Sequence, residues 1–106
     1  MKTYPVRLTD RAAGDMAEIY RYVAEVLLVP STAMKLYDRI AAEIESLAQF
    51  PERCALFASE PERSLGMRRL LVGNYSVIYV VEDEAVTVLR VLYSASDILS
   101  RLREER

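Results

Sequence analysis

The sequence predicts an α+β fold in which an N-terminal helical hairpin packs on a small, mostly antiparallel sheet. Three observations carry this. The block from Gly66 to Tyr93 divides into three strand-like runs, MRRLLV, YSVIYVV and AVTVLRVLY, separated by Gly73-Asn74 and by Glu82-Asp83-Glu84. Two stretches ahead of it carry apolar residues three and four positions apart, the period of an amphipathic helix. A short alternating run opens the chain. The order is therefore β-α-α-β-β-β with a short C-terminal helix, and at 106 residues the whole of 1–106 is expected to be one domain.

The elements follow in order. In residues 3–8, Tyr4, Val6 and Leu8 alternate with Pro5 and Arg7. Pro5 has no N–H for a ladder, so this is expected to be an edge strand or its start. Thr9 or Asp10 can cap the next helix. Residues 11–27 read as that helix, with Ala12, Met16, Ile19, Tyr20 and Val23 on one face and Asp15, Glu18, Arg21 and Glu25 mostly on the other. Gly14 is placed to allow close packing against the second helix. Pro30-Ser31 breaks the pattern, with Ser31 as the expected cap and 32–49 as the second helix. Its buried stripe is Leu36, Ile40, Ile44 and Leu47, and Arg39 and Glu43 are spaced for a weak surface pair. Phe50-Pro51 ends it. Residues 51–65 read as a connecting loop anchored by Leu56 and Phe57. Gly73-Asn74 is turn-like without being the favoured Asn-Gly order. The last two strands are apolar at nearly every position, which implies cover on both faces for part of their length. In the tail, Ile98 and Leu102 lie four apart and suit a short helix.

Composition excludes several chemistries. Apolar residues make up 52% and charged residues 28%, enough for a small core. The net charge is −2, with no separated basic tract, whereas a chain that lives on nucleic acid carries a basic excess. There is no histidine and only one cysteine, Cys54, so a Cys/His zinc site and a Ser-His or Cys-His nucleophilic pair are both impossible. No carboxylate spacing suits a metal, and no cofactor is expected. Cys54 reads as a small apolar side chain. The N-terminus lacks a signal-peptide core and no run reaches transmembrane length, so a cytoplasmic location away from membranes is expected.

The candidate functional residues lie in the sheet. Arg68, Arg69 and Arg90 interrupt apolar strands, and a guanidinium there needs a carboxylate, a phosphate or solvent. Either each pairs with a core-edge carboxylate such as Asp97 or Glu84, or they form a fork for a phosphate or for a partner's carboxylate. Arg68 and Arg69 are adjacent, so only one can share a face with Arg90. Tyr75 and Tyr79 share a face; they and Tyr93 either fill the strands or, for Tyr93, stack and hydrogen-bond at the sheet end.

These residues fall in a recognisable order. Tyr4 to Ala12, Asp15 with Ile19 to Tyr22, Leu47 to Pro51, Gly66 to Leu70, Gly73 to Tyr79 and Val88 to Tyr93 together resemble the RelE/ParE toxin superfamily, the plasmid-stabilisation toxins of type II toxin–antitoxin modules. The acidic balance, Ser76 after Tyr75 and the closing Arg90-Val91-Leu92 look more like its ParE branch. That resemblance implies a toxin that inhibits DNA gyrase by protein binding and blocks replication, with no bond chemistry of its own. It further implies a ParD-like or other antitoxin in a hetero-oligomer, with operator DNA reached only through the antitoxin. Arg68, Arg69, Tyr75, Arg90 and Tyr93 would bind target or antitoxin. The alternatives implied are a RelE-like, metal-independent mRNA endonuclease on the ribosome, with Arg69, Arg90 and Tyr93 at the scissile phosphate, or a non-toxic regulatory relative.

Overall fold

The computed structural model of the chain describes residues 2–104. A four-stranded sheet has the order β1-β4-β3-β2, with β1 at Val6–Leu8, β2 at Arg68–Val72, β3 at Tyr75–Glu82 and β4 at Ala85–Tyr93. The pairs β2–β3 and β3–β4 are antiparallel, and β1 runs parallel to β4 at its edge. Pro5 lies just outside β1, and its carbonyl accepts the Val86 N–H.

α1 spans Asp10–Arg21, and Thr9 is its cap: the Thr9 hydroxyl accepts the Ala12 N–H at 3.1 Å. The expected long first helix does not run on to residue 27 in one form. It changes at Tyr22–Val26 to a π-helical turn, closed by the Leu27 N–H on the Tyr22 carbonyl. α2 spans Pro30–Glu45. It starts two residues before the expected site because Pro30 occupies the first turn, where a missing N–H costs nothing. Ser31 is therefore inside the helix and does not cap it. A 3₁₀ turn, Ser46–Ala48, carries the chain on to Phe50-Pro51. Gly14 is exposed, with nothing within 4 Å of a Cβ built on it, so it does not mediate helix contact. Arg39 and Glu43 form no ion pair among the described residues. The Arg39 guanidinium instead lies against the turn glycine, 3.2 Å from where a Gly73 Cβ would sit.

Gly73 alone has positive φ in its hairpin (56°), which suits a turn with glycine at the first central position. At the other hairpin both Asp83 and Glu84 take positive φ, the conformation of the mirror-image type I turn.

The main core lies between the helical hairpin and one face of the sheet. Ala12 and Met16 of α1 and Ile40, Ile44 and Leu47 of the second helical segment meet Leu70, Val72, Val77, Tyr79, Val86, Val88 and Val91. A bulge in β4 sets which residues share that face. Ile78 pairs with Arg90 and Tyr79 with Val88, leaving Leu89 as the extra residue. Alternation restarts after it, so Val88 and Val91 face the same core. The second face carries a smaller core of Ile78 and Leu92 under Ile98 and Leu102, with Phe57 and Met67 at its border. Those last two helical residues belong to α3, Ile98–Arg103. The second face, whose cover the sequence leaves open, is thus covered in part by the chain's own tail.

Glu62 anchors that tail. It is fully buried in the connecting loop (0% exposed) and accepts from Arg103 Nε and Nη2, both at 3.0 Å, and from the Ser59 hydroxyl at 2.8 Å. The Arg103 hydrogen bonds hold its carboxyl near 2, well under the ordinary carboxylate range, against the opposing effect of burial.

Candidate functional site

β1 ends at Leu8, so beyond Val88 the outer edge of β4 has no strand beside it. The start of α1 closes this gap. The Thr9 N–H donates to the Val88 carbonyl, and the Thr9 hydroxyl donates to the Leu89 carbonyl. Six residues further on, Asp15 Oδ2 accepts the Val91 N–H at 2.9 Å and Arg90 Nε at 2.7 Å, while Oδ1 accepts Arg90 Nη2 at 3.0 Å. Arg90 is only 3% exposed. Its carboxylate partner is therefore Asp15, not Asp97 or Glu84. The sequence places Asp15 on the polar face of the first helix, but nothing local to it signals a contact 75 residues away.

The other two arginines part company. Arg69 stands opposite Ile78, which stands opposite Arg90, so it is Arg69 that shares a face with Arg90. Its Nε donates to the Ser76 hydroxyl at 2.9 Å, and that hydroxyl lies 2.7 Å from the Ser94 hydroxyl. Arg68 stands opposite Tyr79 on the core face. It holds the loop, donating to the carbonyls of Cys54 at 2.6 Å and Glu52 at 3.2 Å. Tyr79 is part of the same anchorage: it is fully buried, and its hydroxyl donates to the Pro51 carbonyl at 2.6 Å. Burial raises its pKa, which keeps it a neutral donor. Cys54 is half-buried beside this loop.

Tyr75 and Tyr93 do meet. They are register partners at the end of the sheet, with ring centres 5.6 Å apart in an edge-to-face arrangement. Tyr75 is half-buried, and burial raises its pKa; Tyr93 is 50% exposed. They form one wall of an open groove of about 680 Å³ between the sheet and the hairpin tip. Ile19, Tyr22, Val23 and Leu27 form the facing wall, and Arg101 of α3 also lines it. Of the acidic residues at its rim, Asp15 is held by Arg90 and Glu18 by Arg21. Arg101 has no carboxylate within ion-pair distance among the described residues. The apolar wall continues past the groove: Val26, Leu28 and Val29 flank Leu27 along the tip, all exposed, with Met34 of α2 after them. Leu28 is 76% exposed and has positive φ (59°). Such a contiguous patch beside a groove is the surface signature of a protein-binding site. The run Val26-Leu27-Leu28-Val29 is visible in the sequence, but it straddles the end of the helix expected over 11–27, and nothing in the periodicity marks it as a surface.

The arrangement contains no cluster of three or more His, Cys, Asp or Glu side chains that could hold a metal, among the described residues. No helix there is long and apolar enough to cross a membrane.

The fold recurs in known toxins. The chain is similar to a protein of the chromosomal ParDE toxin–antitoxin system of P. aeruginosa, with 26% identity, TM-score 0.72, and 86% of this chain and 96% of that one covered. It shares its fold with chains of the RelBE2 toxin–antitoxin complex of Mycobacterium tuberculosis (22%, TM-score 0.59, 86% and 98% covered) and of the archaeal RelE–RelB complex of Pyrococcus horikoshii OT3 (17%, TM-score 0.59, 88% and 97% covered). This is the architecture of the RelE/ParE toxins. No curated protein sequence matches the chain. The family model for the ParE toxin of the type II toxin–antitoxin system parDE matches residues 6–98, and the chain belongs to that family.

Proposed function

We propose that this ParE-type toxin stops growth by binding DNA gyrase and blocking replication, and that an antitoxin neutralises it from the groove between hairpin and sheet. The observation that carries the first half is the dispersal of the polar residues. A ribonuclease needs its cations and its proton-transfer group around one phosphate. Here Arg68 is spent on loop carbonyls on one face, Arg90 is buried on Asp15, Arg69 faces the other side with Ser76 and Ser94, and Tyr93 sits in the apolar groove. A mixed, largely apolar surface fits a protein target better than an RNA backbone. Family membership supports the same branch.

The antitoxin half rests on the exposed tip and groove, and on the occurrence of the similar chains in toxin–antitoxin systems. In this reading Tyr75 and Tyr93 contact the antitoxin, Arg69 is left for a partner, and Arg68 and Arg90 act by holding structure. The antitoxin is ParD-like or equivalent, the stored form is a hetero-oligomer in the bacterial cytoplasm, and operator DNA is reached through the antitoxin. Such a module can stabilise a plasmid.

The test is antitoxin-free protein in two parallel assays, gyrase supercoiling with DNA cleavage, and ribosome-dependent mRNA cleavage. Gyrase inhibition with accumulated breaks and intact mRNA is expected. mRNA cuts with normal gyrase activity would overturn the proposal and put Arg69, Arg90 and Tyr93 at a chemical centre.

A further inference from the structure

The far end of the molecule carries a second surface that the groove does not use. Phe50 follows the 3₁₀ turn after α2 and takes a left-handed backbone, φ 49° and ψ 54°. A bulky residue is a poor occupant of that region, which glycine and asparagine enter at much lower cost. Its side chain gains little inside the fold, because it is 69% exposed. The free chain thus carries strain and an unburied aromatic at one residue, and neither is offset by packing.

The segment is nevertheless held firmly. Arg53 Nη1 donates to the carbonyls of Gln49 at 2.9 Å, Ser46 at 3.3 Å and Phe50 at 3.4 Å, and its Nη2 to the Ser46 hydroxyl at 2.8 Å. The Tyr79 hydroxyl fixes the Pro51 carbonyl, and the Tyr4 N–H fixes Ala48. Phe50 is therefore presented in one place rather than left on a mobile loop, the state in which an aromatic anchor binds at least entropic cost. It borders a hollow of about 390 Å³ with Lys2, Tyr4, Pro51, Glu52 and Arg53, and the Glu52 carboxylate there lies 3.7 Å from the Arg68 guanidinium. The Arg53 acceptors are neutral oxygens, so its charge remains beside the ring to meet an anion.

We propose that Phe50 is the anchor by which the toxin seizes its protein target, inserted into an apolar pocket edged by a carboxylate that faces Arg53. The charge beside the ring selects that chemistry. With the antitoxin assigned to the groove, the Phe50 end is left for the target. α2 with its 3₁₀ extension separates Phe50 from the hairpin tip by roughly 25 Å, and the Phe50 hollow and the groove share no lining residue. The inference rests on the reading of this chain as a toxin with a protein target.

The decisive variant is Phe50→Asn, which suits the left-handed backbone. Growth arrest on expression at equal soluble abundance needs no assumption about the target's identity. Gyrase inhibition by the wild type tests the preceding proposal separately. For Phe50→Asn the expected results are a melting temperature equal to or above wild type, unchanged affinity for the antitoxin, and growth arrest and target inhibition weakened about tenfold or more. Unchanged growth arrest would overturn the proposal. So would a loss confined to antitoxin affinity, which would make Phe50 an antitoxin anchor, or a fall in melting temperature, which would make it structural. If wild-type protein arrests growth without inhibiting gyrase, the gyrase reading fails and the Phe50 comparison still stands on growth arrest.

Discussion

Asp15→Ala is expected to unfold this protein at a temperature well below wild type, although Asp15 stands at the rim of the groove and its loss leaves the apolar walls unchanged. Asp15 does two jobs at the unpaired half of the β4 edge: it accepts the Val91 N–H and pairs in two-point fashion with Arg90. Removing one partner of a buried ion pair costs about 3–5 kcal/mol, most of it the burden of a charge left in a poor solvent. The Asp15 side chain is 13% exposed and that of Arg90 4%, so some water can reach the carboxylate site and the low end, about 3 kcal/mol, applies. A chain of 106 residues has a total stability of about 5–15 kcal/mol and an unfolding entropy that turns 3 kcal/mol into a shift of about 10–15 °C. Asp15→Asn keeps an oxygen for the Val91 N–H and is expected to cost about half as much. Urea denaturation followed by circular dichroism measures both, and the slope should stay constant while the midpoint moves. The double variant Asp15→Asn with Arg90→Met removes the charges together and is expected to recover most of the loss. If Arg90 only positions structure, that double variant still arrests growth. A stable but non-toxic double variant would show that Arg90 meets the target directly. A cost of under about 0.5 kcal/mol for Asp15→Ala would refute the edge-closing role altogether.

Three further outcomes follow from the same geometry. The Glu62 carboxyl is shifted from an ordinary 4.5 down to about 2, so its contribution is complete above the ordinary value and is lost as pH falls through 2. Hydrogen exchange of α3 in wild type and Glu62→Gln should accordingly differ above about pH 5 and converge toward pH 2; a constant difference across that range would count against the latch. Leu27→Asp, at an exposed position of the groove wall, should leave the melting temperature unchanged and weaken antitoxin binding about tenfold or more by calorimetry. Arg68→Ala frees the loop carbonyls of Glu52 and Cys54, and should cost about 1–2 kcal/mol and more toxicity than Glu25→Ala or Arg39→Ala.

The parts of the fold legible in the sequence were those set by local periodicity. The helical hairpin follows from apolar spacing near 3.6 residues, and the three late strands from short apolar runs bounded by turn residues, which tertiary packing here reinforces. Leu89 shows where that reasoning stops. A bulge has no periodic signature, and it alone decides that Arg69, not Arg68, stands on the Arg90 face. Asp15 and Glu62 were illegible for a different reason: their partners lie 75 and 41 residues away, and a charged residue on a polar pattern reads as solvated until its partner is placed. Tyr75 and Tyr93 were singled out and do meet, because both sit at the same end of strands joined by short turns. Phe50 was read only as a helix stop. Its left-handed backbone depends on Arg53, Tyr79 and Tyr4 gathering around the turn, a cost that no local propensity predicts.

The separation of the two surfaces constrains how neutralisation can work. A peptide that fills only the groove buries Tyr22, Leu27, Tyr75 and Tyr93 and satisfies Arg101, and it leaves Phe50 about 25 Å away untouched. If Phe50 engages the target, occupancy of the groove does not by itself block toxicity. Neutralisation must then come from the bulk of the assembled antitoxin, which bars the target's approach without contacting Phe50. An antitoxin fragment trimmed to the groove-binding segment should therefore bind free toxin with most of the full-length affinity, yet fail to relieve growth arrest when co-expressed in excess. Calorimetry establishes the affinity, and colony counts with full-length antitoxin as control establish the relief. Full relief by the fragment would mean that target and antitoxin compete for the groove itself, and that the Phe50 end is not where the toxin holds its target.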